Sequence, residues 1–306
     1  MKILITGGAG FIGSHIADLL TEEGYDIVTL DDLSNGKEEN VNPKAIFYCL
    51  NILDKNLADI FKKEKIEAVI HHAAQISVRD SVKDPLYDME TNIKGSLLLL
   101  EHCIKYNIKK FIFASTGGAL YGEQDYFPAD ENHPTRPLSP YAIAKLSTEK
   151  YLFFYYNTYN LPYISLRYAN VYGPRQDPYG EAGVVAIFTQ QMIQDKQPVI
   201  NGDGKQTRDF VYVCDVARAN LLALKHDVIG EINISTGIET SINQVFHEIK
   251  NLTLSKTAEI HGPPMPGEQL RSVLSFEKAK SVLGWEPITP LPEGLKNTVT
   301  FFQKGK

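Results

Sequence analysis

An α/β fold with a doubly wound parallel sheet is what this sequence predicts, on three observations. Short apolar runs rich in β-branched residues alternate with longer stretches of helical period, the pattern of βαβ units. The runs ILI, IVTL, AVI and FIFA are apolar at successive positions, as strands covered by helices on both faces require. The first run passes directly into a glycine-rich turn and then into a helical stretch.

In chain order, strands are expected at Lys2–Thr6, Asp26–Leu30, Ala45–Cys49, Ala68–His71, Lys110–Ala114 and Pro162–Arg167. Between them the period predicts helices near Ile12–Glu23, Leu57–Lys63, Tyr87–Tyr106 and Pro140–Tyr159. Beyond about residue 170 the texture changes to Gly/Pro-punctuated stretches such as NVYGPRQDPYGEAG and HGPPMPGEQ. The expected organisation is a sheet domain over 1–169, with returning segments near 208–235. A smaller, interleaved substrate domain over 170–306 follows, mostly loops and short helices.

Composition narrows the function classes. With 306 residues, 43% hydrophobic and 22% charged, the chain has ordinary globular usage. A net charge of −6 argues against binding nucleic acid through a basic face. Cys49, Cys103 and Cys214 lie far apart, which predicts buried thiols and neither a disulfide framework nor a metal site. MKILITGG lacks the pattern of a signal peptide, and no apolar stretch approaches the ~20 residues that span a bilayer. A cytoplasmic location with no membrane partner is the expectation.

TGGAGFIG, residues 6–13, places Gly7, Gly10 and Gly13 between strand and helix, with Phe11 and Ile12 opening the helix. Such glycines permit a tight turn and close approach of a pyrophosphate, which then sits on free N–H groups of the helix N-terminus. This is the dinucleotide-binding signature of a Rossmann-type sheet. The second strand ends at Asp31-Asp32, where a carboxylate accepts hydrogen bonds from a ribose and repels a 2′-phosphate. NAD is therefore expected over NADP, with Lys37 the nearby cation that could weaken the preference.

SPYAIAKL, residues 139–146, sets Tyr141 and Lys145 four residues apart at a helix start, so both address one ligand. A tyrosine ionises near ~10 and is a poor base at neutral pH, and an adjacent ammonium and the positive nicotinamide of NAD⁺ would both favour the phenolate. Ser115 and Thr116, at the end of a preceding strand, bring hydroxyls to the same ends of the sheet.

Together TGGAGFIG, HHAAQISVRDS, Thr116, Tyr141-x-x-x-Lys145, LRYANVYGPRQ and GDGKQTRDFVYVCDVA resemble the extended short-chain dehydrogenase/reductase family, in its nucleotide-sugar branch. The resemblance covers nearly the whole chain. It implies a NAD-dependent isomerase that inverts C4 of a UDP-sugar through a 4-keto intermediate. The substrates implied are UDP-glucose and UDP-galactose, with UDP-N-acetylhexosamines beside them. It implies that Thr116, Tyr141 and Lys145 are catalytic, Tyr141 as base and Lys145 as the residue that holds the nicotinamide ribose and lowers the tyrosine pKa. NAD contacts implied in the same way are Asn35, Gly36, Asn51, Ile52, Ala73, Ala74, Gln75 and Asn92. Substrate contacts implied are Ser115, Thr116, Asn170, Gly183, Val184, Val185, Val199, Arg208, Glu268 and Ser272. For Arg208, an ion pair with Asp209 or Asp203 is the competing reading.

Three departures from the family pattern stand out. Met265 occupies a position where relatives carry a diphosphate-binding arginine, so Arg271 is a candidate substitute. Asn51 replaces an Asp that faces adenine. Ser272 aligns with a Tyr that restricts some relatives to unmodified hexoses, which implies room for an N-acetyl group. Where 4,6-dehydratases of the family carry Asp-Glu after the Thr, this chain has Gly117 and Gly118, which supply no proton shuttle. They would leave space for a turning sugar, or serve a bend that needs glycine dihedrals. The alternatives are a uronate epimerase, decarboxylase or reductase of the same branch, and a NAD-sensing regulator without catalysis. A homodimer through the helices at 87–106 and 140–159 is also implied by the resemblance.

Overall fold

The computed structural model describes residues 1–179, 183–265 and 269–305. In the first half the elements are β1 (Lys2–Thr6), α1 (Phe11–Glu22), β2 (Asp26–Asp31), β3 (Ile46–Cys49), α2 (Leu57–Glu64) and β4 (Ala68–His71). There follow α3 (Val78–Lys83), α4 (Pro85–Met89), α5 (Gly95–Lys105), β5 (Lys110–Thr116), α6 (Gly117–Leu120), α7 (Pro140–Tyr159) and β6 (Tyr163–Tyr168). The second half begins with β7 (Asn170–Tyr172), α8 (Val184–Ile193), β8 (Ile200–Asn201), β9 (Thr207–Tyr212) and α9 (Val213–Lys225). It ends with β10 (Gly230–Ile234), β11 (Glu239–Ser241), α10 (Ile242–Thr253), β12 (His261–Gly262), α11 (Glu277–Leu283) and α12 (Leu291–Lys304).

Seven strands form one parallel sheet in the order β10-β6-β5-β4-β1-β2-β3. Because successive side chains of a strand point to opposite faces, the unbroken apolar runs feed two cores. Ile3, Ile5 and Ile112 pack with Ile16, Leu20, Val216 and Trp285 on one face. On the other, Leu4, Phe111 and Phe113 pack with Phe61, Leu99, Leu152 and Tyr155. A third core, with Phe188, Phe246 and Leu295, lies among α8, α10 and α12, near the small sheet β11-β9-β7. The large sheet reverses its order between β1 and β4, so the loops at the carboxyl ends of these strands open a crevice, the place where such sheets bind ligands.

The predicted strands match β1 to β6 within two residues at either end. The helix expected over Tyr87–Tyr106 is instead α4, a π turn at Glu90–Lys94, and α5. Such turns inside helices gather at functional sites, and this one carries Asn92. The second half holds longer helices than its loop-like sequence suggested. Cys103 is buried as expected, whereas Cys49 and Cys214 are exposed.

Candidate active site

The glycine turn is packed to its limit. Gly7 has φ +70, and a Cβ there would stand 2.7 Å from Ala73 N. A Cβ on Gly13 would stand 2.2 Å from Gly7 O, so the helix can approach the turn only if residue 13 is glycine. Gly10 caps α1 without any side chain, so the N–H groups of Phe11 and Ile12 in that first turn have no side-chain cap. A cradle filled by any Cβ and crowned by an uncapped helix start fits a dinucleotide pyrophosphate.

Asp31 is buried at the end of β2, where its carboxylate accepts from Ala9 N at 3.0 Å and Leu33 N at 2.9 Å. A Cβ on Gly36 would stand 2.6 Å from its Oδ1, so residue 36 is glycine to let the loop close over the acid. Asp32 accepts from Ser34 N, Ser34 Oγ and, at 2.6 Å, Asn51 Nδ2. Partial burial opposes its ionisation, but the bonds from Ser34 and Asn51 hold it below the ordinary carboxylate range. Burial raises the Asp31 carboxyl against the bonds from Leu33 and Ala9, so Asp32 is the acid held in its charged form beside the turn, where a carboxylate binds a ribose and repels a 2′-phosphate. Asn35 is exposed, and Lys37 reaches the turn through its backbone, with its N–H bonded to Ala9 O at 3.0 Å.

Several expected cofactor contacts are occupied within the chain. Asn51 spends its amide on Asp32 and on Leu53 N, and Ile52 is a core residue packed against Gly95. Gln75 donates from Nε2 to Asp88 Oδ1 at 2.9 Å and to Ser77 O at 2.9 Å, and its own N–H bonds Asn92 Oδ1 at 2.9 Å. Asn92 donates in turn to Asp88 Oδ1 at 2.9 Å and to Gln75 O at 3.0 Å. Ala74 is half-buried, and Ala73 lines the turn, with its N–H bonded to Thr6 Oγ1 at 3.2 Å. That bond starts a relay whose directions are fixed. Ser96 Oγ donates to Asn92 O at 2.6 Å, so it accepts from His71 Nε2 at 2.9 Å. His71 Nδ1 therefore accepts from Thr6 Oγ1 at 2.7 Å, a neutral imidazole, and burial holds its pKa well below the ordinary value.

Tyr141 and Lys145 lie one turn apart near the start of α7, where Ser139 caps by accepting from Ala142 N at 3.2 Å and Pro140 fills the first helical position. Lys145 is buried. Its Nζ donates to Ala114 O at 2.8 Å and lies 4.8 Å from the Phe113 ring centre and 5.8 Å from that of Tyr141. Burial lowers its pKa to about 8, against the opposing charges of Asp88 and Glu149. The Tyr141 phenol is pushed up, by burial first and by Asp88 second. The expectation that Lys145 favours the phenolate joins it to the positive nicotinamide of NAD⁺; within the chain, burial and Asp88 act in the opposite direction.

Thr116 ends β5 and caps α6, its Oγ1 accepting from Ala119 N at 3.3 Å, so the hydroxyl hydrogen remains to be donated. The glycine pair opens α6 with ordinary dihedrals, so neither bend nor left-handed backbone explains it. A Cβ on Gly117 would meet Leu274 Cδ1 at 2.2 Å, while one on Gly118 has only Asn170 Oδ1, at 3.6 Å, within reach. Packing accounts for Gly117; open space stands at Gly118. Ser115, expected against substrate, points instead into a buried network and donates to Glu149 Oε1 at 2.7 Å. Glu149, four residues beyond Lys145, also accepts from Ser165 and from Arg167 Nη2 at 2.7 Å, and Arg167 Nη1 bonds Tyr121 Oη at 3.0 Å. Sequence reading missed Glu149, Arg167 and Asp88. The one available signal was that Lys145 and Glu149 extend the spacing of Tyr141 along the same helix face.

On the substrate side, Asn170 sits on β7 beside Gly118, and Arg208 on β9 donates from Nη1 to Thr207 O at 2.8 Å. Both acids weighed as its partners are committed elsewhere. Asp209 accepts from Thr236, Gly237 and Leu274, and Asp203 from Lys205. Gly183 caps α8, and a Cβ there would stand 2.6 Å from Gln176 Nε2; Val184 follows half-buried. The Val185 side chain is a core residue, so a contact of this segment with the sugar would be through its backbone. Val199 is half exposed, beside a groove of about 640 Å³ lined by Asn201, Gln206, His261, Met265 and Leu270. Ser272 is buried between Arg271 and Val273. Arg271 is an unsuitable substitute for the missing arginine: it is forked onto Glu239 at 3.0 and 2.5 Å and stacked 3.7 Å from the Phe127 ring centre. Glu268 lies outside the described residues. Among those described, no cluster of His, Cys, Asp and Glu could hold a metal ion, and no helix is long and apolar enough to cross a membrane.

Comparison with known proteins agrees with this geometry. The chain is 50% identical over 303 residues, 98% of each chain, to a putative UDP-glucose 4-epimerase of Methanocaldococcus jannaschii. It superposes on the crystal structure of UDP-glucose 4-epimerase with UDP-glucose from Thermotoga maritima with a TM-score of 0.98, at 53% identity, covering 100% of this chain and 99% of that one. For the Thermus thermophilus UDP-glucose 4-epimerase in complex with NAD the TM-score is 0.95, at 43% identity over 100% of both chains. Residues 3–235 match the model of the NAD dependent epimerase/dehydratase family, and the chain belongs to that family.

Proposed function

We propose that this protein is a NAD-dependent UDP-sugar 4-epimerase. The reading is supported by the packing of α7, which carries Tyr141 and Lys145, on β5, which ends at Thr116: Lys145 Nζ bonds Ala114 O at 2.8 Å, and glycine and no acid follows Thr116. Gly7, Gly10, Gly13, Asp31 and Asp32 would hold the dinucleotide, and Lys145, through the donors not given to Ala114 O, its nicotinamide ribose. Bound NAD supplies a hydride acceptor that gives the hydride back. Tyr141 takes the proton of the sugar 4-hydroxyl and later returns it, Thr116 donates a hydrogen bond to the same oxygen, and Asn170 and Arg208 bind the diphosphate. The open space at Gly118 leaves the sugar free to present its other face. Gly117 and Gly118, which follow Thr116, carry no acid to remove water from the sugar, which argues for epimerisation over elimination.

Ser272 supports acceptance of N-acetylhexosamines as well as hexoses. Exposed apolar side chains on α4 and α7, among them Leu86, Tyr87, Phe153 and Phe154, support a homodimer through these helices. The deciding experiment follows anomeric protons by NMR in separate incubations with UDP-glucose and UDP-N-acetylglucosamine. Appearance of the galacto epimer in either one establishes the reaction; no change in either, with NAD added, refutes it.

A further inference from the structure

The guanidinium of Arg271 is held on two sides although it stands half exposed. Its Nε and Nη2 fork onto Glu239 Oε2 and Oε1 at 3.0 and 2.5 Å, and its central carbon lies 3.7 Å from the ring centre of Phe127. A planar fork stacked on an aromatic face is a geometry that a lysine cannot reproduce. The clamp extends beyond Glu239. Glu239 Oε2 also accepts from Thr207 Oγ1 at 2.7 Å, and Thr207 N donates to Leu270 O, the carbonyl before Arg271, at 2.9 Å. Thr207 is thereby gripped through its hydroxyl and its backbone at once. Thr207 O in turn accepts from Arg208 Nη1 at 2.8 Å, so the arginine proposed for the diphosphate folds back over the peptide that the clamp fixes. The residue before Thr207 is Gln206, which lines the groove together with Leu270.

We infer that Arg271 is a positioning residue of the substrate site, acting through Glu239 and Thr207 on Arg208. Its own donors are spent on Glu239, so it reaches the diphosphate only through that chain of bonds. The fork ties three segments together: the loop of Phe127, the stretch at 270–271, and the start of β9 against β11, where Ser241 pairs with Thr207 and Thr240 with Arg208. Breaking it loosens the strand start that carries Arg208 and leaves the core of the molecule untouched.

The inference rests on the proposed diphosphate role of Arg208, and the test separates the two. UDP binding is measured by isothermal titration calorimetry at fixed salt, with no sugar and no turnover. Arg208→Gln should weaken UDP about 10- to 100-fold, as loss of a charge-assisted bond does. Arg271→Met, which keeps an apolar stem against Phe127 and removes the fork, should weaken it about tenfold. The combined Arg208→Gln/Arg271→Met should bind within about twofold of Arg208→Gln alone, because the second change has nothing left to position. Glu239→Gln breaks the clamp from its other side, should repeat these results, and serves if Arg271→Met does not fold. With UDP-glucose as substrate, Arg271→Met should raise KM and keep kcat within about threefold. Losses that add in the combined variant would make Arg271 a direct contact or a residue of general stability, and would overturn the inference. An unchanged UDP affinity in Arg271→Met would do the same. Wild type that binds no UDP, or Arg208→Gln that binds it normally, would sink the reading of Arg208 and the inference with it.

Discussion

At the scale of single residues, Tyr141 is the most exposed part of the functional reading. Tyr141→Phe should lose at least about 10²-fold in turnover, the usual contribution of a positioned proton-transfer group; a variant above a tenth of wild-type rate would remove it from that role. Lys145 should set the alkaline side of the profile. Its folded pKa lies near 8, below the ordinary lysine value, so its charge is present below that pH and lost above it. Rate measured from pH 6 to 10 should therefore fall beyond about pH 8. The glycine pair separates by measurement: Gly117→Ala must push Leu274 aside and should cost about 1–3 kcal/mol in thermal unfolding, while Gly118→Ala should fold almost normally. The neighbourhood of the proposed catalytic pair was legible in the sequence because both residues sit one turn apart on one helix. Asp88, Glu149 and Arg167 were not, since their meaning depends on partners from other elements, such as Arg167 on β6 against Glu149 on α7. Ser115 misled for the same reason: its hydroxyl is turned into the buried network of Glu149, which only the fold brings to it.

Among the elements, β5, β6 and α7 form the frame that aims the site. Ser115, Ser165 and Arg167 on the two strands converge on Glu149 from the helix, so the pair locks the end of β5 to α7. Glu149→Gln leaves a buried guanidinium without its counter-ion and should lower stability by about 3–5 kcal/mol in urea unfolding. Glu149→Leu with Arg167→Met should recover much of that loss, because well-packed apolar groups often replace a buried pair without penalty. The strands were readable to within two residues, because β-branched runs covered on both faces leave few other options. The helix at 87–106 was not, because its π turn answers to the Gln75–Asn92–Asp88 bonds rather than to its own period. In the second half the strands are two to six residues long and pair across long separations, which local propensity does not record.

For the whole molecule, the apolar surface on α4 and α7 makes the dimer testable. Phe154→Glu should lower the sedimentation coefficient toward the monomer at micromolar concentration without altering the circular dichroism, and unchanged sedimentation would exclude this face. The central sheet has another consequence, for synthesis. Its β10 edge strand, Gly230–Ile234, is the neighbour of β6 and arrives more than sixty residues after it. A ribosome therefore releases six strands of the sheet well before the seventh. During that interval the outer edge of β6 is an open ladder of backbone donors and acceptors, the kind of surface that recruits other chains. A gene cut at residue 169 would yield that edge permanently exposed, and its product should collect in inclusion bodies, while the full-length chain stays in the supernatant.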